Sequence, residues 1–447
     1  MTMLSAKASD IAEITGGQLH GEDVAFSDVS TDTRSITSGM LFIALRGANF
    51  DGDQFVGEAA KKGAVLAVVH KLQPIDIPQI VVDDTRKALA DIARTHRRSW
   101  QGTLFALTGS NGKTSTKELL RRLLEEKGKV LATKGNLNND IGVPLTLLKL
   151  AGDEDYAVIE MGANHGGEIA HLVGIAEPDI VLVTNISAAH LEGFGSLEGV
   201  VKAKSEMYHG SGDAVMVINA DLPYASTWLA QYPDRQRVSF ALEHPADVQA
   251  EAIADDSSAF TLVSEEGREH LSWSMLGKHN IANALAAFAT GRVVGSTLAD
   301  AHKAWTGLSL QQGRLTTYKK GIHTIYDDTY NANPASFRAA IDVLAQAKQT
   351  LLIVGAMGEL GSEHERAHRE VRDYAQSAGI EALWSVGEAA KAYGESSAWH
   401  QHFEDHQQAA QALDKCLNQA DQPLTVLVKG SRSAKMETIL TLLGIRP

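Results

Sequence analysis

Residues 103–128, T-L-F-A-L-T-G-S-N-G-K-T-S-T-K-E-L-L-R-R-L-L-E-E-K-G, constrain this chain more than any other stretch. The apolar run Leu104, Phe105, Ala106 and Leu107 predicts a buried strand, and Gly109 and Gly112 interrupt it. Leucines at 119, 120, 123 and 124 then recur at helical spacing, closed by Gly128. A strand, a glycine turn and a helix follow in that order.

Such a turn can bind phosphate. Glycines let backbone N–H groups converge on an anion at the positive end of the helix dipole. The loop is Gly109, Ser110, Asn111, Gly112, Lys113, Thr114 and Ser115, with Lys113 placed to reach the outer phosphates of ATP and the Thr114 hydroxyl placed for Mg2+. Leu107 stands where the full Walker pattern has glycine, so only G-x-x-G-K-T is present. The competing reading is an ordinary glycine-rich turn between strand and helix.

At 447 residues the chain exceeds one typical core, and roughly two to four domains are expected. A formal net charge of -14 argues against general nucleic-acid binding, because a polyanion would be repelled by most of the surface. The single cysteine, Cys416, excludes an intrachain disulfide and a cysteine zinc site. With no basic-then-apolar leader and no apolar run of membrane-spanning length, a cytoplasmic location without stable membrane insertion is expected.

Three α/β units are predicted: 1–84, 85–312 and 313–447. In the first, strands are expected at 40–45, 65–69 and 80–82, with polar loops at 30–35 (S-T-D-T-R-S) and 46–53 (R-G-A-N-F-D-G-D). Plain turn chemistry is the other reading of those loops. The second unit alternates strand and helix around the phosphate loop, which argues for a mostly parallel sheet with helices on both faces. Strands at 156–159 and 180–183 deliver Glu160 and, a few residues on, His190 to carboxyl ends, where ligands bind in such sheets. A solvent-facing carboxylate and a loop histidine are the bland alternative. Lys202 and Glu206 stand four apart on a probable helix and suit a surface ion pair; Lys204 points elsewhere. A small-residue helix over 276–289 carries Asn280 and Asn283, either as amides for a purine edge or as a cap. The third unit again places polar sequences after its strands: 327–334, 355–361 and 429–433.

Taken in order, T-G-S-N-G-K-T-S (108–115), G-N-L-N-N-D-I-G-V-P (135–144), E-M-G-A-N-H-G-G-E-I (160–169), T-N-I-S-A-A-H-L-E (184–192), K-A-K-S-E (202–206), L-G-K-H-N-I-A-N (276–283) and D-D-T-Y-N-A-N-P (327–334) resemble the Mur ligases, the ATP-dependent amide-forming enzymes of peptidoglycan synthesis. The resemblance spans essentially the whole chain, and the shortened phosphate loop is similar to the family's usual form. It implies a UDP-binding N-terminal domain, a central P-loop ATPase domain and a Rossmann-like C-terminal domain.

Residue by residue, the resemblance implies that Lys113 and Thr114 hold phosphate and a first Mg2+, and that Glu160 and His190 surround a second. Lys204 resembles the lysine that the family carbamylates to support that metal. Asn280 is similar to the adenine contact, Arg314 to a phosphate-contacting arginine and Asp328 to the ribose ligand. Thr33, Arg34, Arg46 and Asn49 are then candidates for the UDP-sugar peptide. Within the family, G-A-N-H-x-G-E-I, N-A-N-P and G-x-M-x-E-L-G are similar to the branch that adds D-Ala-D-Ala to a UDP-MurNAc-tripeptide. A monomer is expected, whose third unit swings over the second about hinges near Asp84 and Gly313. Ligation of a different amine, as in folylpolyglutamate synthases, and a P-loop switch without ligation are the alternatives.

Overall fold

The computed structural model describes residues 6–47, 50–308 and 313–445. Among them, three large sheets follow one another along the chain. The first has five strands in the order Gln18–His20, Gln79–Val81, Leu66–Val69, Leu41–Ile43 and Val29–Ser30, antiparallel only in its first pair. The helix Thr85–Ser99 leaves it. Asp84 caps that helix by accepting from the N–H groups of Arg86 and Lys87.

Thr85–Ser99 bears on the hinge expected near Asp84. Its buried Ala88, Leu89, Ile92 and Ala93 belong to one hydrophobic cluster that runs from Ile11, Leu41 and Leu66 of the first unit to Leu104, Val143 and Ile169 of the second. Asp84 is thus a capped helix start on a shared core, not a loose joint. Burying an aliphatic side chain contributes about 2 kcal/mol, so several would have to be exposed before these units could part.

The central sheet has nine strands. Its parallel part runs Val130–Ala132, Tyr156–Glu160, Thr103–Thr108, Ile180–Val183, Val215–Asn219, Arg237–Ala241 and Val248–Glu251; the hairpin Ala259–Ser264 and Gly267–Ser272 extends it antiparallel. Thr103–Thr108 lies between Tyr156–Glu160 and Ile180–Val183, and the strand order reverses there. Its side chains alternate between two cores. Phe105 and Leu107 face Leu119, Leu120, Leu123 and Leu124 of the helix Lys113–Glu125, while Leu104 and Ala106 face the cluster that holds Val143 and Ile169. The helix Lys278–Arg292 packs on the leucine-bearing helix and is buried over most of its length, which accounts for its run of alanines.

The third sheet has six strands ordered Thr316–Lys320, His323–Asp328, Thr425–Lys429, Thr350–Val354, Ala382–Val386 and His400–Phe403, parallel after the first pair. The helices Pro334–Leu344 and His364–Ser377 cover one face and His406–Gln419 the other. Gly313, at φ +80°, opens this unit, and its carbonyl accepts from the Tyr330 N–H at 3.0 Å. Among the described residues no helix is long and apolar enough to cross a membrane.

Candidate functional site

Loops from the carboxyl ends of the second and third sheets meet around a cavity of about 550 Å³. The reversal of strand order at Thr103–Thr108 leaves a crevice there, and the glycine turn occupies it. Gly109 sits at φ +153° against Thr184, and Gly112 at φ +77° against the amide of Asn283; a side chain at either would collide as well as strain.

The turn is braced by the neighbouring strand end. Ser110 N–H donates to Asn185 O at 3.0 Å, Asn111 N–H to Asn185 Oδ1 at 2.9 Å, and Asn185 Nδ2 returns a bond to Asn111 O at 2.7 Å. The backbone donors of Ser110 and Asn111 are therefore committed within the protein. Anion binding falls instead to the first-turn N–H groups of the helix Lys113–Glu125, whose N-cap Gly112 has no side chain to occupy them. Lys113 Nζ donates to Gly109 O at 2.6 Å, and burial holds its amine below the usual lysine range. Thr114 and Ser115 line the same cavity.

Glu160, 2 % exposed, sits opposite that helix start. The Thr114 hydroxyl donates to its Oε2 at 2.9 Å and Asn138 Nδ2 to its Oε1 at 2.9 Å. Strand Tyr156–Glu160 fixes the carboxylate, since the Glu160 N–H itself donates to Thr133 Oγ1 at 3.0 Å. His190, in a left-handed conformation at φ +53°, pairs through Nδ1 with Glu359 of the third unit. Burial lowers the His190 pKa, Glu359 opposes the shift, and the ammoniums of Lys113 and Lys204 add to it.

Lys204, on the helix Leu197–His209, is 1 % exposed. Its Nζ lies 5.5 Å from the centroid of the Phe194 ring. Burial, with the Lys113 ammonium, brings its pKa down to about 7. The acids facing it, Glu168 and Glu206, are engaged by backbone: Glu206 accepts from the N–H groups of Gly167 and Ala170, and Glu168 from that of Asn164.

Asn280 and Asn283 bond to each other at 3.3 Å at the start of the helix Lys278–Arg292, and Asn280 Nδ2 also donates to Leu276 O at 2.8 Å. His279 beside them lines the cavity with its pKa lowered by burial. From the third unit come Arg314, stacked 4.2 Å from the Tyr330 ring centroid, and Asp328, whose Oδ2 accepts from Lys429 Nζ at 2.6 Å. Lys113, Thr114, Glu160, His190, Asn280, Arg314 and Asp328 thus line one cavity.

The N-terminal candidates lie outside it. Arg34 stands on the turn Thr33–Ser35 and forks onto Asp32, whose pKa falls to about 2 chiefly through that hydrogen bond. Thr33 donates to Glu58 Oε1 at 2.9 Å, and Arg46 to Asp51 Oδ2 at 2.8 Å. Arg86 ties this region to the second unit, donating to Arg46 O and to Asp140 Oδ2. Asn49 lies outside the described residues.

Three partners are not marked out by the sequence: Asn138 on Glu160, Glu359 on His190 and Lys429 on Asp328. Their segments 135–144, 355–361 and 429–433 were singled out from sequence, but only contacts across sheets distinguish these members from their neighbours. As to metals, no group of three or more His, Cys, Asp and Glu side chains suited to an ion forms among the described residues. The hydroxyl of Thr114 and the carboxylate of Glu160 nonetheless share one hydrogen bond facing the phosphate-binding turn. That hard-oxygen pair fits Mg2+, which takes one or two protein ligands and completes its shell with water and phosphate.

Known proteins resemble this chain over most of its length. The family described as Mur ligase family, catalytic domain, matches residues 25–97. The Mur ligase middle domain matches 107–291, and the Mur ligase, glutamate ligase domain, matches 313–432. The UDP-N-acetylmuramoyl-tripeptide--D-alanyl-D-alanine ligase of Escherichia coli (strain K12) is 42% identical over 445 residues, covering 98% of each chain. A crystal structure of MurF from Acinetobacter baumannii superposes with a TM-score of 0.93 at 34% identity, covering 98% of each chain. MurF ligase from Thermotoga maritima in complex with ADP gives a TM-score of 0.84 at 28% identity, covering 93% of this chain and 96% of that one.

Proposed function

The chain belongs to the Mur ligase family, and from that premise we propose that it is the ATP-dependent ligase that joins D-Ala-D-Ala to UDP-MurNAc-tripeptide in peptidoglycan precursor synthesis. The observation that carries this reading is the cavity itself: the phosphate-binding turn and Glu160 of one unit face Arg314, Asp328 and Lys429 of the next across a single space. A nucleotide seated there touches both units.

Amide formation from a carboxylate in water is uphill, so the carboxyl group must first be activated. Transfer of the γ-phosphoryl group of ATP to the carboxylate oxygen gives an acyl phosphate and ADP. The amine of D-Ala-D-Ala then attacks the acyl carbon, and phosphate leaves as the amide forms. Charge on the transferring phosphoryl oxygens is met by Lys113 and by the N–H groups of the helix start. Asn280 and Asp328 would orient the adenosine, and Arg314 the phosphates. Closure of the third unit over the second, about the region beside Gly313, would exclude water that otherwise hydrolyses the acyl phosphate. The division at 1–84, 85–312 and 313–447 describes the three working parts.

Thr114 would hold one Mg2+, joined by Glu160, which the resemblance assigns to the second ion but whose Oε2 accepts from the Thr114 hydroxyl; His190 with a carbamylated Lys204 would support that second ion, and both ions would supply positive charge against the phosphates. A bare ammonium at Lys204 would repel such an ion. The pKa of about 7 supports the carbamate, because only the neutral amine adds to CO2, releasing a proton to water. His190 would offer Nε2 to that ion while Glu359 of the third unit holds its Nδ1. Thr33, Arg34, Arg46 and Asn49 would take the UDP portion, and the enzyme would work as a cytoplasmic monomer. The decisive experiment is phosphate release from ATP with D-Ala-D-Ala, with and without UDP-MurNAc-tripeptide. Release that needs both supports the reading; release independent of both favours a nucleotide switch, and release with another amine alone moves the chain to a different branch.

A further inference from the structure

Among the described residues three lysines are buried: Lys117, Lys204 and Lys429. Lys204 and Lys429 belong to the site already described. Lys117, 1 % exposed, does not line that cavity and takes no part in the phosphoryl chemistry. It stands on the helix Lys113–Glu125 three residues after Thr114, and so on the same face. Stripping an ammonium of water there is costly, and a leucine or methionine would fill the place without that cost.

Two contacts hold the ammonium. Its Nζ donates to Thr133 O at 2.5 Å and lies 3.0 Å from Glu118 Oε1. Glu118 has a second cation of its own, since Arg121 Nε donates to its other oxygen at 2.9 Å. The bond to Thr133 leads further. Thr133, buried just beyond the strand Val130–Ala132, donates its N–H to Val158 O at 3.0 Å, and its Oγ1 accepts from the Glu160 N–H at 3.0 Å. Glu160 in turn accepts from the Thr114 hydroxyl at 2.9 Å. These bonds close a ring: they leave the helix at residue 117, cross to the strand that Glu160 ends, and return to the same helix at residue 114.

We propose that Lys117 is a positioning residue: by tying the helix Lys113–Glu125 to Thr133, it fixes the separation of the Thr114 hydroxyl from the Glu160 carboxylate. This rests on the Mg2+ reading of that pair. Mg2+ demands near-ideal octahedral geometry at short range, so drift between helix and strand end weakens its binding. Lysine suits the task because its ammonium carries donors only, whereas a glutamine would bury an oxygen with no donor to meet it.

The test is binding of Mn2+ in the presence of ADP, read from the EPR signal of the free ion, in the wild type, Lys117→Met, Thr133→Val and the double variant. Each single change is expected to raise the Mn2+ Kd about 10-fold, the scale of losing support behind a metal ligand. The double variant is expected to go no further than either, because both changes cut one series of bonds. The Kd of ADP in EDTA stays unchanged, since the N–H groups of the helix start are untouched; melting temperature checks the fold. A folded Lys117→Met with the wild-type Mn2+ Kd, or with ADP weakened equally in EDTA, overturns the positioning role alone. If Lys117→Met does not fold, Thr133→Val decides: an unchanged Mn2+ Kd overturns the role and a 10-fold rise sustains it. A wild type that binds no Mn2+ with ADP overturns the Mg2+ reading and the positioning role together.

Discussion

Asn333 Nδ2 donates to Asn111 Oδ1 across 2.7 Å, joining two residues 222 positions apart. One belongs to the phosphate-binding turn and the other caps the helix Pro334–Leu344, so the bond ties the third unit to the site of phosphoryl transfer. Replacing Asn333 by serine keeps a good helix cap and removes the cross-link. One such hydrogen bond is worth about 1 kcal/mol, so the closed arrangement is expected to become roughly fivefold less favoured. Small-angle scattering with bound nucleotide is expected to show a larger radius of gyration for Asn333→Ser, and the KM for ATP to rise.

Lys113→Ala is expected to lower turnover by about a hundredfold to a thousandfold, because the cation acts where charge develops in the transition state. Phosphate-release kinetics on a variant with unchanged melting temperature check this. Near-normal turnover would end the phosphate-loop reading.

Lys204→Ala is expected to inactivate the enzyme, with short-chain carboxylates partly restoring activity by taking the place of the carbamate. Mass spectrometry cannot hold so labile an adduct, so 13C NMR of protein equilibrated with 13CO2 is the direct measurement. A wild-type spectrum without a carbamate signal, together with no carboxylate rescue, would remove the carbamate and leave the ligase assignment standing.

Arg34 is 86 % exposed in its side chain and, among the described residues, paired only with Asp32, so Arg34→Ala costs little stability. Its expected effect is on the KM for the UDP-sugar peptide, with the KM for ATP unchanged. The opposite pattern would take the N-terminal unit out of nucleotide-sugar binding.

His368 gives the fold a pH limit. Its Nδ1–H donates to His364 O at 2.6 Å while Nε2 accepts from the Met357 N–H at 2.8 Å, so the ring is held neutral and burial lowers its pKa to about 4. In the unfolded chain the same group protonates near 6.5. Stability from this residue is therefore complete above pH 6.5 and drains away as pH falls to about 4, by about 3 kcal/mol at most. Chemical denaturation across that range is expected to show the loss. It should shrink in His368→Gln, which can accept the Met357 N–H but does not titrate.

Much of this architecture was legible in the chain. The strand Ile180–Val183 begins and ends where its apolar run does, and Thr350–Val354 and Ala382–Val386 are built around the runs L-L-I-V and A-L-W. They are short, buried strands of parallel sheets, and such strands read as continuous hydrophobic runs. The edge strand His400–Phe403, H-Q-H-F, carries no such run and was not foreseen. Lying at the edge of its sheet, it owes its strand state to pairing with Ala382–Val386 more than to its own composition.

For the site, spacing alone determined that Gly109, Gly112 and Lys113 form a turn before a helix, because local backbone conformation and helix polarity depend on adjacent residues. Which side chains meet there was decided by tertiary structure. Glu359 reaches His190 and Lys429 reaches Asp328 only because separate strands end at the same edge, 169 and 101 residues removed in sequence (359 − 190 and 429 − 328). The state of Lys204 was decided the same way. A lysine's pKa is set by the water taken from it and the charges around it, and the fold that buries its amine beside Lys113 supplies both.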